Sequence, residues 1–219
     1  MPTLDYQNRD DSNRETGVLR KLFGPSKEEI WRQLAEEVNG QFIDGRWFGP
    51  TARVEANCGQ WTVTLDTFTV SNGKSSTTYT RMRAPYVNRD GFRFNIYRAG
   101  IFTGIGKFFG MQDVEIGDPY FDEPFVIQGN SERKLRELLA NERIKEFFHA
   151  QPHIRLSVKD DEGWFGAHFP DGVDELYFVV TGVLKDFERL HSLFYLFAEV
   201  LEHLCRIGSA YEDAPNVRL

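Results

Sequence analysis

The sequence predicts an α+β fold in which helices pack on one face of an antiparallel sheet. Residues 41–100 alternate apolar and polar side chains, which is typical of half-buried strands. One such strand has an apolar series and a polar series, namely Trp61, Val63 and Leu65 against Thr62, Thr64 and Asp66. Residues 187–207 instead repeat apolar side chains every three or four positions, so the last element is a helix that lies across a sheet.

The first elements are a polar tail and an amphipathic helix. Residues 1–15 lack periodicity and are rich in Asp, Asn and Arg, so we expect a disordered tail. A helix begins after Pro25 and Ser26 and ends at Asn39 and Gly40, which are start and stop signals. Its apolar stripe consists of Ile30, Trp31, Leu34 and Val38.

Residues 41–100 contain turn signals such as Asn72-Gly73 and Asp90-Gly91, and they predict an antiparallel meander of about five strands. In the last of these strands, apolar and polar side chains point to opposite faces of the sheet. The apolar series is Phe92, Phe94 and Ile96, and the polar series is Arg93, Asn95 and Tyr97. We therefore expect the three apolar side chains to be buried.

The second half of the chain has a similar order of strands and helices, but its residues do not repeat those of the first half. A strand at 125–127 precedes a helix that begins at Ser131 and a second helix over 144–149. Three strands follow at 153–158, 164–169 and 175–183, and the last helix begins near Asp186. Residues 16–219 are expected to form one domain with two similar halves, about 24–110 and 111–210. Two arrangements remain open, a pseudo-duplicated saddle like the TATA-box-binding-protein fold and a helix-grip cup around the last helix.

The charge of the chain is unevenly distributed. The net charge is −7, from 26 basic and 33 acidic residues, which argues against a protein that coats nucleic acid through bulk charge. Residues 1–110 carry 15 basic and 12 acidic side chains, whereas residues 111–219 carry 11 and 21. This asymmetry indicates either an anion-binding surface or two oppositely charged layers that neutralise each other.

The sequence contains no recognisable motif for catalysis, metal binding or nucleotide binding. The stretch Gly100–Lys107 lacks the glycine spacing and the Ser or Thr of a phosphate-binding loop. The acidic run Asp113, Glu115, Asp118, Asp122 and Glu123 does not follow the order of a calcium loop. The five histidines are His149, His153, His168, His191 and His203, and none lies in a recognisable metal or acid–base motif. We expect no cofactor, no metal site and no catalytic residue.

Two cysteines 147 positions apart, Cys58 and Cys205, argue against a disulfide framework. The chain shows no apolar leader, and the last helix carries too many charges to span a bilayer. These features predict a soluble, cytoplasmic protein without a membrane partner.

One surface suggests a binding site. Strand alternation places Tyr79, Arg81 and Arg83 on one face, and Arg93 and Tyr97 on the polar face of the strand that follows. If these strands pair, the five side chains share a surface that suits phosphates, carboxylates or stacked bases. The alternative interpretation is that these arginines pair with acidic residues of the second half.

Residues 117–126, GDPYFDEPFV, and residues 131–139, which end in two leucines, resemble a bacterial family of unknown function. In that family a Phe-Asp-x-x-Phe-x-Val element precedes a helix that ends in paired leucines. The resemblance covers about residues 117–205. It implies a fold boundary and a bacterial origin, and it supplies no catalytic residues.

Taken with 14% aromatic residues, the absence of catalytic motifs predicts a non-enzymatic module that binds a partner protein or a small ligand on its curved sheet. A second hypothesis is the binding of an anionic ligand or single-stranded nucleic acid, which the net charge disfavours. A third is an enzyme with a cavity under the last helix and His168, His191 or His203 as the base. The oligomeric state is left open.

Overall fold

The computed structural model describes residues 24–45, 51–100, 111–160, 169–213, 215, 217 and 219. The helices among these residues are α1 (Lys27–Glu37), α2 (Pro119–Asp122), α3 (Glu132–Leu139), α4 (Glu142–His149) and α5 (Phe187–Arg206). The strands are β1 (Gln41–Ile43), β2 (Arg53–Cys58), β3 (Trp61–Ser71), β4 (Ser76–Val87), β5 (Phe94–Arg98), β6 (Gln112–Asp113), β7 (Phe125–Gly129), β8 (Arg155–Lys159) and β9 (Val173–Thr181). The predicted α+β class is confirmed.

The described strands form one open antiparallel sheet, in the order β1-β2-β3-β4-β9-β8-β5-β7-β6. Strands β1 to β4 follow the chain as a meander, as predicted. The meander prediction is wrong for β5, because β9 and β8 lie between β4 and β5. Alternation determines which face a side chain takes, but it does not determine which strand lies alongside.

This strand order also places β5, from the first half of the chain, between β7 and β8 of the second half. Neither the pseudo-duplicated saddle nor the helix-grip cup is confirmed.

One face of the sheet is apolar and carries the core. A row of cross-strand partners runs over seven neighbouring strands, namely Val54, Leu65, Met82, Phe178, Leu156, Ile96 and Ile127. Each of these side chains is at most 2% exposed. The helices pack on this row in one continuous hydrophobic core. Burial of one such side chain stabilises the fold by about 1.5–3 kcal/mol, so this face holds the helices against the sheet.

The helices begin where their capping residues predict. The hydroxyl of Ser26 accepts from the amide of Glu29 at 3.1 Å, and the carboxylate of Glu29 accepts from the amide of Ser26 at 2.9 Å. The carboxylate of Asp186 caps α5 by accepting from the amide of Arg189 at 3.0 Å. The predicted core residues Phe92, Phe94 and Phe194 are all buried in the core that α5 shares with the sheet, so the predicted packing of this helix is confirmed.

Three sequence-based predictions involve undescribed residues. The tail at 1–15 lies outside the described residues, as do all but Gly100 of the rejected loop at 100–107 and all but Phe169 of the strand predicted at 164–169. The domain boundaries and the family resemblance stay predictions. Within the part of the chain that the structure describes, no helix is both long enough and apolar enough to cross a membrane.

Candidate functional site

The second face of the sheet, here called the polar face, is the candidate site. One row of cross-strand partners crosses all nine strands of the described residues. It consists of polar side chains, namely Gln41, Glu55, Thr64, Arg83, Tyr177, Ser157, Asn95, Gln128 and Asp113. Five of these, from Thr64 to Asn95 in that order, are at most 7% exposed. Burying polar groups costs free energy unless they are hydrogen-bonded, so this face is held by a polar network.

The centre of the network is Asp66 on β3. Its carboxylate accepts from Arg81 Nε at 2.6 Å and Nη2 at 3.1 Å, and from Arg83 Nη2 at 2.6 Å. Asp66 and Arg83 are both buried. One carboxylate thus bridges two guanidinium groups on the neighbouring strand, which is a strong, geometrically specific arrangement.

Aromatic rings continue the polar face towards the β3–β4 turn. Phe68 and Tyr79 are direct cross-strand partners, and their rings stack with centroids 5.2 Å apart. The Arg81 guanidinium lies 4.9 Å from the centroid of the Phe68 ring. This cation–π contact and the bonds to Asp66 together fix the position of the Arg81 guanidinium.

A second chain of hydrogen bonds lies on the other half of the polar face. Arg155 Nε donates to Asn95 Oδ1 at 2.9 Å, and the Asn95 amide donates to Gln128 at 2.8 Å. Gln128 then donates to Asp113 at 2.9 Å, so the chain connects β8, β5, β7 and β6. Burial lowers the pKa of the Arg155 guanidinium from its ordinary value.

The predicted binding residues do not form one cluster. Tyr79, Arg81 and Arg83 share the polar face of β4, whereas Tyr97 lies three strands away on β5. Arg93 precedes β5 and binds elsewhere, with Asp160 at 2.7 Å and Asp174 at 3.1 Å.

Asp160 and Asp174 lie in the second half of the chain, where acidic residues predominate. Arg93 therefore pairs with acidic residues of the second half, as the alternative interpretation expects. Arg81 and Arg83 both pair with Asp66, which lies in the first half of the chain.

The sequence pattern does not indicate which carboxylate neutralises Arg81 and Arg83. Asp66 stood in the alternating series with Thr62 and Thr64, and this was the available signal. Its register opposite Arg81 is a long-range property of the β3–β4 pair. The hydrogen bond between Arg155 and Asn95 requires β8 and β5 to be neighbours, and no local sequence pattern indicates this pairing.

A groove of about 360 Å³ lies on the polar face over β2, β3 and β4. Its floor and walls consist of Arg53, Glu55, Thr62, Thr64, Pro85, Val217 and Leu219. Arg53 Nε bonds Glu55 at 2.6 Å, and Thr62 donates to Asn57 at 3.1 Å. The groove therefore combines a paired charge, hydroxyl groups and apolar surface.

The histidines do not assemble an acid–base site among the described residues. His203 Nε2 lies 3.0 Å from the carbonyl oxygen of Glu137. The ring of His191 stacks on Phe187 and contacts the Tyr195 ring edge-on. His149 packs against Phe125 and Tyr120, and its burial, with the charge of Arg98 nearby, lowers its pKa. His168 lies outside the described residues.

The acidic run near α2 is occupied by structural contacts. The carboxylate of Asp122 accepts from the amides of Ile116, Gly117 and Asp118 at 2.9–3.0 Å. Asp118 caps α2 and accepts from Lys145 at 2.6 Å, which lowers the pKa of Asp118. Within the described ranges, no three His, Cys, Asp or Glu side chains are placed to hold a metal ion.

Comparison with known proteins identifies no family. No family model matches the chain, and no curated protein matches it. Among solved structures, the chain is similar to the mycobacterial trehalose monomycolate transport factor A, TtfA, with 8% sequence identity and a TM-score of 0.48. The match covers 81% of this chain and 95% of that one. A similarity at this level carries no inference about what this chain binds.

Proposed function

We propose that this chain is a non-enzymatic binding module that receives an extended segment of a partner protein in the groove over β2, β3 and β4. The observation that carries the proposal is the lining of this groove. Strand residues supply hydroxyl groups and a charge pair, while Pro85, Val217 and Leu219 supply apolar surface. A polypeptide presents the same combination, because its backbone is polar and its side chains are in part apolar.

The rigidity of the surroundings supports this proposal. The groove residue Thr64 is the direct cross-strand partner of Arg83, which Asp66 holds in place. A site on a sheet whose neighbouring side chains are already ordered loses little conformational entropy when a ligand binds.

The alternative of an anionic ligand has less support. Arg81 and Arg83 share Asp66, and Arg93 binds Asp160 and Asp174, so each predicted arginine has a carboxylate partner. A phosphate would have to displace these carboxylates, which costs the desolvation and pairing energy of a partly buried ion pair. The hypothesis of an enzyme with a cavity under the last helix has no specific observation in its favour.

The test is a peptide selection by display on the full-length chain, followed by titration of the strongest selected peptide. Thr62 lies at the exposed rim of the groove, so Thr62→Arg should block the groove without disturbing the core. We expect this variant to weaken binding at least tenfold, by about 1.4 kcal/mol or more. Thr69→Arg is the matched control, because Thr69 is also an exposed threonine of β3 that bonds a neighbouring side chain, and it lies outside the groove.

Equal binding by the two variants, or a selection that yields no binding peptide, would refute the proposal. If no peptide binds but small-molecule fragments bind in contact with Thr62, the groove binds a small ligand and not a partner protein.

A further inference from the structure

His149, the last residue of α4, contacts α2 and β7 through a group of aromatic rings. The centroid of its ring is 4.4 Å from that of Tyr120, 5.7 Å from that of Phe121 and 5.2 Å from that of Phe125. Phe121 and Phe125 belong to the hydrophobic core and are at most 3% exposed, whereas Tyr120 is 75% exposed. Tyr120 therefore forms the outer side of this group of rings, and the core lies on its inner side.

One nitrogen of the His149 imidazole has no polar partner. Nε2 is buried, and it forms no hydrogen bond with any of the described residues. The neutral imidazole can leave Nε2 unprotonated, so that only a lone pair is unsatisfied at this position. The imidazolium carries an N–H on both nitrogens, and protonation in this position would bury a charged donor that lacks an acceptor.

The charged groups around His149 also disfavour its protonation. In the described part of the chain these are Lys145 one turn earlier on α4, Arg98 of β5 and Asp118 at the N-terminus of α2. Asp118 already accepts from Lys145 at 2.6 Å. The carbonyl oxygens at the end of α4 would favour a cation, but those of His149 and Gln151 accept from Arg98 at 3.3 and 3.0 Å. Burial and the charge of Arg98 accordingly lower the pKa of His149.

We propose that protonation of His149 opens α2 away from α4 and exposes the rings of Phe121 and Phe125, so that this part of the surface responds to pH. Movement of α2 gives a cation at His149 access to water, because the two rings that α2 contributes lie against the imidazole. The closed form binds the proton more weakly than the open form, and a fall in pH therefore favours opening. This inference does not depend on the groove or on its occupant.

Hydrogen exchange at α2 in the native chain measures this opening. The amides of Phe121 and Asp122 both donate to the carbonyl oxygen of Asp118, so their protection reports the closed form. We expect their protection factors, which correct for the intrinsic pH dependence of exchange, to fall at least threefold between pH 7 and pH 5. The ordinary histidine pKa of 6.5 sets an upper limit of about 25-fold for this change.

A variant at His149 shows whether this histidine is the cause. His149→Gln removes the titratable group, so the protection of its α2 amides should not fall between pH 7 and pH 5. His203→Gln is the matched control, because His203 is also a helical histidine but its Nε2 lies 3.0 Å from a carbonyl oxygen. We expect this control to retain the fall seen in the native chain. In the native chain itself, the imidazole NMR signals of His149 should titrate with a midpoint below pH 6.5.

Equal protection of α2 at the two pH values, an equal fall in the native chain and in His149→Gln, or a His149 midpoint at or above pH 6.5 would overturn the inference. An equal fall at the amide of Leu193, a fully buried residue inside α5, would also overturn it, because the whole domain would then be opening. A peptide selection that yields no binder would refute the proposed function and leave this inference standing, since α2 contributes no residue to the groove.

Discussion

Replacing Asp66 tests whether the arginines of the polar face are structural. Asp66→Asn keeps the shape of the side chain but removes the charge that bridges Arg81 and Arg83. Loss of one partner of a buried ion pair costs about 3–5 kcal/mol. The lower end applies here, because Arg81 is partly exposed and both arginines have further contacts. We expect the free energy of unfolding to fall by about 3 kcal/mol, which corresponds to a decrease in Tm of about 6–12 °C for a chain of this size.

The assay is urea unfolding followed by circular dichroism, with Tm from a thermal scan at the same pH. Asp44→Asn is the control, because Asp44 also accepts from an arginine, Arg32, but both side chains are more than half exposed. Exposed pairs contribute about 0–1 kcal/mol, so the control should be nearly neutral. If the two variants lose the same stability, the polar network does not stabilise the sheet, and the pairing of Arg81 and Arg83 no longer argues against anion binding.

Three further predictions concern other parts of the fold. Burial lowers the pKa of His149 below its ordinary 6.5, so as the pH falls through this range the unfolded chain binds more protons than the folded chain and the free energy of unfolding decreases. Between about pH 7 and about pH 5, we expect this decrease to be steeper in the native chain than in His149→Gln. Equal slopes of the unfolding free energy against pH, measured by urea titration, would contradict the prediction. Asp122→Ala should cost about 1–3 kcal/mol and speed hydrogen exchange at the amide of Gly117, whereas unchanged exchange would show that the carboxylate is not needed there. Phe94→Ala should cost about 3–5 kcal/mol in urea unfolding, against less than about 0.5 kcal/mol for the exposed Tyr120→Ala, and similar losses would contradict the assigned core.

Local chemistry explains why the helix starts and the burial pattern were predictable. Ser26 and Asp186 cap helices through bonds to amides three residues away, so the signal and the structure are close in sequence. The burial of Phe92 and Phe94 follows from alternation along a single strand. The grouping of Tyr79, Arg81 and Arg83 on one face follows from the same two-residue period.

The candidate site was less predictable because it depends on contacts between distant segments. The expected surface combined Arg83 with Arg93, yet β9 and β8 lie between β4, which carries Arg83, and β5, which Arg93 precedes. Carboxylates on β3 and β9 bind these arginines. The groove requires β2, β3 and β4 in register together with Val217, which is more than 130 positions further along the chain. No periodic pattern in the sequence predicts such a contact.

The sequence by itself therefore determined the fold class, the helix caps and the side chains that face the core, because these depend on interactions within a few residues. Only the tertiary structure decided that β5 lies beside β8, that Asp66 neutralises two arginines, and that Val217 and Leu219 line a groove. The physical reason is that strand neighbours are selected by the packing of the whole apolar face against the helices, and polar partners across the sheet follow from that choice.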